Sequence, residues 1–190
     1  MDYVPLIIIL ALLAGLYIWY ASIISRKNSA GEALSGIDVQ LKKRSNLIPN
    51  ILTIAKRFMK HEKELISGVT ELRTRVDESY NPGNPESVRE HLQAAGALGG
   101  SMGRLMIAVE DYPELKSDET MLQAQQTYNE VEAQIAAARR FYNASVTRLN
   151  NSIEIFPGNL IAGLAKARAM PFYEADEVST APVDADSFLN

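Results

Sequence analysis

Residues 4–24 form an apolar run that contains no charged residue. In a helix with a rise of about 1.5 Å per residue, this run is roughly 31 Å long, which is about the thickness of a bilayer hydrocarbon core. A cleaved signal peptide is disfavoured because no Lys or Arg precedes the run, and because the run exceeds the usual core length of about 7–15 residues. A buried core helix is disfavoured because the run lacks a polar stripe. The run therefore predicts a retained transmembrane helix, and Tyr17, Trp19 and Tyr20 near its end fit an interfacial aromatic belt.

The residues on either side of this run predict its orientation. The nearest basic residues all follow it: Arg26, Lys27, Lys42, Lys43 and Arg44. Because an excess of Lys and Arg marks the cytoplasmic side, we expect residues 1–3 outside the cytoplasm and the C-terminal part inside it. The absence of cysteine agrees with a reducing compartment. Residues 28–36 are small and polar, and we predict a juxtamembrane linker over 25–36, with a short hinge or a weak helix start.

The charge of the chain is unevenly distributed, although the net charge is only -4. Bases dominate residues 26–63, whereas the stretch after Phe172 carries acidic residues and no base. A basic segment beside a bilayer is attracted to anionic headgroups by about 1 kcal/mol per Lys or Arg. A solvated helix face is the alternative for the bases beyond Arg44. We expect the lipid bilayer as a partner and no nucleic acid, because the balance is acidic and aromatic residues do not interleave the bases.

Apolar periodicity predicts helices and no strands in the rest of the chain. We expect one helix over residues 37–48 and a kink or a short break at Pro49. A second helix follows over 51–76 with heptad spacing, in which Glu62 is the only polar residue of the apolar stripe. A third helix runs from about Glu86 to Val109, with an apolar stripe from Val88 to Val109 at intervals of three and four residues. A fourth follows an N-cap at Ser117 or Asp118 and keeps a heptad register of core positions from Tyr128 to Phe156. Residues 158–169 form a short amphipathic helix. The predicted fold is all-α: an elongated antiparallel bundle of three to four long helices over residues 37–169, followed by a disordered acidic tail over 170–190.

Four glycines interrupt the third predicted helix: Gly96, Gly99, Gly100 and Gly103. Each glycine lowers helix propensity by about 1 kcal/mol relative to Ala, so packing has to compensate. Their spacing of four resembles the small-residue pattern that lets helix backbones approach closely. We predict close packing at these glycines, within the chain or in a binding groove.

No catalytic or metal-binding constellation is present in the sequence. His61 and His91 are far apart, and the glycines are not followed by the Lys and Ser or Thr of a phosphate loop. We therefore expect no enzyme activity, no catalytic residue, no cofactor, no metal and no small-molecule substrate. Polar residues do cluster in two places, at Asp38, Gln40, Arg44, Asn46 and Asn50, and at Arg139, Arg140, Tyr142, Asn143 and Asn150. They form an interaction surface, or they cap helices and fix the register of the bundle.

Four segments resemble the LemA family, in the family's order. They are DVQLKKRSNLIPNILTIAKRFMKHE (38–62), YPELKS (112–117), IAAARRFYNASVTRLNNSIEIFPGNLIA (135–162) and PFYEADE (171–177). The resemblance implies a single-pass bacterial membrane protein with a helical-bundle domain and no established enzymatic activity. It also implies two groups of motif residues: Asp38, Gln40, Arg44, Pro49 and Asn50, then Ala138, Arg139, Tyr142, Asn143, Phe156 and Pro157. A related branch of the family is associated with magnetosome membrane formation.

Two functions fit these observations. The first is a non-enzymatic scaffold at the bacterial inner membrane that organises other proteins or its own copies, with a homo-oligomer or a membrane protein as partner. The alternative is an adaptor or sensor in envelope stress or membrane-protein quality control, in which the acidic tail recruits a partner.

Overall fold

The computed structural model of the protein describes residues 3–174, which contain six helices and no strand. The helices are α1 (Val4–Phe58), α2 (Lys63–Asp77), α3 (Pro85–Val109), α4 (Pro113–Lys116), α5 (Glu119–Glu154) and α6 (Gly158–Ile161). Helix accounts for 81% of these residues. The predicted all-α fold is therefore confirmed. The predicted disordered tail over residues 170–190 falls largely on residues 175–190, which lie outside the described residues. For residues 170–174 the prediction is wrong, because the backbone of Met170 and Pro171 is hydrogen-bonded to side chains of α5 and Tyr173 is buried.

The described residues form two compact units. Unit 1 comprises residues 3–40, 80–89 and 133–172, and unit 2 comprises residues 41–79, 90–132 and 173–174. Within the units, the apolar stripe predicted for α3 is buried throughout: Val88, Leu92, Ala95, Leu98, Met102, Leu105 and Val109. These side chains recur at intervals of three and four residues, as expected for the inward face of a helix in a bundle.

Helix α1 is a single helix of 55 residues, so it includes residues 25–36, where we predicted a linker. In this stretch Ala30, Ala33 and Leu34 are buried in unit 1. Apolar packing on one face thus keeps this stretch helical, although the residues on its other face are small and polar. The helical backbone continues without interruption from the apolar run to the buried residues of unit 1 that follow it.

Of the two alternatives predicted at Pro49, the short break is wrong, because α1 continues through this residue, whereas the kink stays a prediction. Proline has no N–H, so the carbonyl of Ser45 loses its intrahelical donor. Arg73 Nε replaces that donor, at 2.9 Å from Ser45 O and 3.1 Å from Ser45 Oγ. Ile48 and Ile51 on either side of the proline are fully buried. A side chain from α2 therefore satisfies the backbone group that the proline exposes, and packing keeps the helix intact.

The continuous second helix predicted over residues 51–76 is also wrong. Helix α1 ends at Phe58 and α2 begins at Lys63. Glu62, the polar residue in the predicted heptad stripe, precedes α2 at the break. Met59 and Ile66, on either side of it, are both buried. The chain bends where the heptad would bury a charge, and the flanking apolar side chains still enter the core.

The start of α5 agrees with the prediction, whereas its end does not. Asp118 Oδ1 accepts a hydrogen bond from the backbone N–H of Met121 at 2.9 Å, which is the expected N-cap. Helix α5 ends at Glu154, and Phe156 lies beyond it with its side chain exposed, so the predicted register to Phe156 is wrong.

The amphipathic helix predicted over residues 158–169 is only the four-residue α6. Turns follow α6, and Lys166 adopts a left-handed conformation with φ 45°. The next amide, that of Ala167, donates to the carbonyl of Ala162 at 3.0 Å. A left-handed residue with such a bond terminates a helix, because it reverses the chain direction.

Candidate functional site

Arg44, from the first motif, is buried in unit 2, where its guanidinium bridges two other helices. Nη2 donates to the carbonyl of Ala95 at 2.6 Å, and Nη1 donates to Glu132 Oε1 at 3.3 Å. The residue is only 1% exposed. Because a guanidinium stays charged at any physiological pH, its burial requires these partners. Arg44 therefore connects α1 to α3 and α5.

Tyr128 lies beside this ion pair and is buried. Burial raises the pKa of its phenol, and the charge of Glu132 raises this pKa further, while the charge of Arg44 opposes the increase. The phenol therefore stays protonated and acts only as a neutral polar group at physiological pH.

Asp38 and two tyrosines form a second polar cluster, in unit 1. The hydroxyl of Tyr80 donates to Asp38 Oδ2 at 2.8 Å. Burial raises the pKa of Tyr80, and the hydrogen bond to Asp38 and the charge of Asp38 raise it further. Burial likewise raises the pKa of Tyr142, with a smaller contribution from the charge of Asp38. Both phenols are therefore hydrogen-bond donors rather than bases or nucleophiles.

Two residues of α5 bind the backbone just before the acidic tail. The hydroxyl of Tyr142 donates to the carbonyl of Pro171 at 2.9 Å. The Asn150 amide pairs with both backbone groups of Met170: Nδ2 donates to the carbonyl at 3.0 Å, and Oδ1 accepts from the N–H at 2.9 Å. These side chains therefore fasten residues 170 and 171, which belong to no helix, to α5, and they satisfy backbone groups that no helix pairs.

Asp77, at the end of α2, is the centre of a third polar group. Its carboxylate accepts from Lys42 at 2.9 Å and from Ser45 Oγ at 2.8 Å, and it lies 3.6 Å from Arg73. Burial alone would raise the pKa of Asp77. The hydrogen bonds from Lys42 and Ser45 and the charges of Lys42 and Arg73 outweigh burial, so the pKa lies below its ordinary value. The ionised carboxylate therefore stabilises the contact between the end of α2 and the part of α1 that contains Lys42 and Ser45.

The structure brings together some of the predicted site residues. Asp38 and Tyr142, from different motifs, share the cluster in unit 1, where Arg139 and Asn143 are half-buried. Arg44 and Pro49 lie in unit 2, where Asn50 is exposed. Gln40 Oε1, in unit 1, is buried without a hydrogen-bond partner among residues 3–174. Pro157 follows a cis peptide bond after the exposed Phe156.

The predicted glycines differ in their surroundings. Gly96, Gly99 and Gly100 are half-buried, in keeping with a neighbouring surface. At Gly103, by contrast, an added Cβ would meet no atom within 4 Å, and the residue is exposed. Close packing within the chain is therefore wrong for Gly103, whose spacing matched the pattern but whose face points away from the core.

Sequence reasoning missed the partners that complete these clusters: Tyr80, Tyr128, Glu132, Asp77 and Arg73. Tyr128 did occupy a predicted core position, and a tyrosine there is a signal for a buried polar partner. The other partners lie in turns or on polar faces, and nothing in their local spacing indicates which helix they contact.

These clusters join helices, and their chemistry fits that role. Among residues 3–174, no group of three or more His, Asp or Glu could hold a metal ion. The tyrosines are held neutral and the guanidinium of the buried Arg44 is paired with Ala95 and Glu132, so the hydrogen-bonded groups of these clusters serve contacts between elements.

The chain is similar to LemA and to magnetosome proteins over most of its length. The sequence matches the profile of the LemA family over residues 33–186. Magnetosome protein MamQ 2 of Paramagnetospirillum magneticum is 24% identical, over 92% of this chain and 72% of that protein. Magnetosome protein MamQ of Magnetospirillum gryphiswaldense is 22% identical over the same shares. Protein LemA of Metamycoplasma hominis is 23% identical, over 86% of this chain and 73% of that protein.

Proposed function

The chain belongs to the LemA family, and from this premise we propose that it is a non-enzymatic scaffold, anchored in the bacterial inner membrane by α1, that organises its own copies at the membrane surface. The N-terminus faces out and the C-terminal domain lies in the cytoplasm. The names of its relatives support this proposal, because three are magnetosome proteins and none is the name of an enzyme.

The observation that carries the proposal is the exposure of the first part of α1. The only window among residues 3–174 that is long and apolar enough to cross a membrane lies in this helix, and just 6% of it is buried inside the molecule. A core helix of a soluble protein would be mostly covered by its neighbours. An exposed apolar helix of this length instead requires lipid or another protein around it.

The anchor is also joined to unit 1 without a flexible segment. Ile23, Ala30, Leu34 and Ile37 form one buried stripe along α1, which starts inside the apolar run. A domain attached in this way stays at the membrane surface with a fixed orientation to its anchor. A fixed orientation is what a scaffold requires, since it aligns neighbouring copies in the plane of the bilayer.

A cleft in unit 2 supports self-association. It has a volume of about 740 Å³ and is lined by Lys56, Lys60 and Lys63 around the buried Met59 and Ile66. Glu71 also lines the cleft, so its net charge is positive. None of the three lysines forms an ion pair with another described residue. An acidic segment with apolar residues would complement this surface.

The C-terminal stretch of a second copy is the occupant we propose. After Phe172 the sequence carries five acidic residues and no base, interspersed with Tyr, Val, Phe and Leu: Glu174, Asp176, Glu177, Asp184 and Asp186. Exchange of such tails between copies produces assemblies through a head-to-tail contact.

The test is the mass distribution of the full chain in lipid nanodiscs and in detergent, measured by mass photometry. We expect oligomers that dissociate when residues 175–190 are deleted, and when Lys56, Lys60 and Lys63 are replaced together by Glu. The deletion starts after Glu174 because Tyr173 is buried. Replacement of the exposed Lys43, Arg75 and Arg140 by Glu gives a control with the same charge change outside the cleft. A monomer at all concentrations, or oligomers unaffected by both changes, would contradict the proposal.

The adaptor function remains the second candidate, and the attachment of Met170 and Pro171 to α5 supports it. Because the backbone is fixed just before the acidic stretch, the tail is presented from a defined point. Under this alternative, the tail binds a protein other than a second copy, and deletion of residues 175–190 abolishes cross-linking of that protein to the chain. The oligomeric state of the purified chain in mass photometry stays unchanged, once the mass of the deleted residues is subtracted. The two functions therefore give opposite results in mass photometry.

A further inference from the structure

Four large apolar side chains are exposed at the corner between α5 and the turns after α6. Ile155, Phe156, Leu160 and Leu164 are between 58% and 78% exposed. We call residues 155–164 the α5–α6 corner. Single exposed apolar residues are ordinary, but several on one short segment indicate a surface that something covers.

The position of the α5–α6 corner along α1 indicates what covers it. Ile161 and Ala165 pack with Ile23 in one apolar cluster, and Trp19 packs against the same cluster. Gly158 lies so close to Trp19 that an added Cβ would be 2.9 Å from the indole nitrogen. Trp19 and Ile23 belong to the apolar run of residues 4–24. At a rise of about 1.5 Å per residue, Trp19 lies about 7–8 Å inside the end of this run.

We infer that the α5–α6 corner is a second membrane contact, which inserts Ile155, Phe156, Leu160 and Leu164 into the bilayer interface beside the α1 anchor. Interfacial segments bury their apolar faces about 5–10 Å into the boundary between headgroups and acyl chains, which matches the depth of Trp19. The lipid-facing surface of α1 thus continues onto the corner.

Basic residues next to the α5–α6 corner support this depth. Lys27, Lys166 and Arg168 line a cavity of about 950 Å³ in unit 1 that has no acidic residue in its wall. Lys27 Nζ donates to the carbonyl of Lys166 at 3.0 Å, and none of the three forms an ion pair with another described residue. Lys27 follows the apolar run by three residues, or about 4–5 Å along the helix. Cations at this level face the phosphates of anionic lipids.

This contact goes beyond anchoring by α1. With a single helix as the only contact, the anchor and unit 1 could tilt or rotate together in the bilayer, whereas two contacts at the same membrane depth restrict both motions. The α5–α6 corner therefore holds unit 1 against the bilayer.

The test uses the full chain, which contains no cysteine and so accepts a single introduced one. Leu160→Cys and Leu164→Cys are each labelled with the fluorophore NBD in nanodiscs of phosphatidylcholine and phosphatidylglycerol. Ile107→Cys in unit 2 is the matched control, because Ile107 is 69% exposed. We expect blue-shifted emission at both corner positions. Lipids with a doxyl group near the headgroup should quench it at least about twofold more than at the control position.

Two results would overturn the inference. Emission and quenching equal to those of the Ile107→Cys control would place the α5–α6 corner in water. A blue shift without quenching by doxyl lipids would mean that protein, such as another copy, covers the corner instead of lipid. Because all three labelled positions are exposed, we expect each labelled variant to fold, and its circular dichroism spectrum verifies this.

Discussion

Replacement of Gly158 by Ala is the sharpest test of the packing between α6 and the end of α5. Gly158 is buried, and an added Cβ would overlap the carbonyl oxygen of Ser152. It would also lie 2.9 Å from Trp19 Nε1. The closest obstacle is backbone, which cannot rotate away as a side chain can. The methyl group therefore requires α6 to move away from α5.

The expected loss follows from this geometry. Overpacking a well-packed site costs about 1–3 kcal/mol, and a rigid backbone neighbour places Gly158→Ala near about 3 kcal/mol. For a chain of 150–250 residues, about 1 kcal/mol lowers the melting temperature by about 2–4 °C, so a decrease of roughly 6–12 °C is expected. The assay is thermal unfolding of the full chain in detergent, followed by circular dichroism of the helical signal.

Gly163→Ala is the matched control. Gly163 is exposed, and an added Cβ there would meet no atom within 4 Å. No glycine among residues 3–174 has a positive φ, so neither substitution strains the backbone. We expect Gly163→Ala to change the free energy of unfolding by no more than about 0.5 kcal/mol. If the two variants unfolded at the same temperature, the close approach of Gly158 to Ser152 would be refuted.

Three further predictions concern the polar clusters. Arg44→Lys removes the planar fork that bridges two partners and should lower the free energy of unfolding by about 2 kcal/mol in urea titrations; an unchanged midpoint would contradict this. Asp77 has a lowered pKa, so its carboxylate contributes stability that is present above the ordinary value of 3.8 and is lost as the pH falls through the folded-state pKa. The melting temperature of the wild type should therefore fall more steeply below about pH 4 than that of Asp77→Asn. Parallel plots of melting temperature against pH for the two proteins would contradict a stabilising role of the Asp77 carboxylate. Asn150→Ala should accelerate hydrogen exchange of the Met170 amide about tenfold, whereas Asn151→Ala, at an exposed position, should not.

The sequence predicted those parts of the fold that depend on local periodicity. The apolar stripe of α3 and the N-cap at Asp118 were both identified, because side chains three or four residues apart share a helix face and a cap bonds within its own turn. The missed features depend on distant contacts. The helix continues through Pro49 because Arg73, far along the chain, supplies a donor to Ser45. Periodicity contains no information on such a pairing.

In the candidate site, too, the residues could be predicted from the sequence but their distant contacts could not. Asp38 and Arg44 were identified as members of a polar cluster and of the first family motif. Their roles could not be assigned, because their partners come from other segments: Tyr80 for Asp38, and Ala95 and Glu132 for Arg44. The α5–α6 corner was missed for a related reason. Its residues resemble a core pattern, and only the contact with Trp19 and Ile23 indicates the depth at which they lie.

The unbroken α1 also determines how the protein tolerates changes in length. Each residue of a helix advances the phase by about 100°, so one residue inserted between Ile24 and Ala30 would rotate the anchor by that angle against unit 1. Ile23 would then face away from Ile161, and the α5–α6 corner would lose its support. An insertion of seven residues returns the phase to within about 20° but displaces the anchor by about 10 Å along its axis. The number of residues between Ile24 and Ala30 therefore sets both the distance of the bundle from the bilayer and the face of the anchor that meets Ile161.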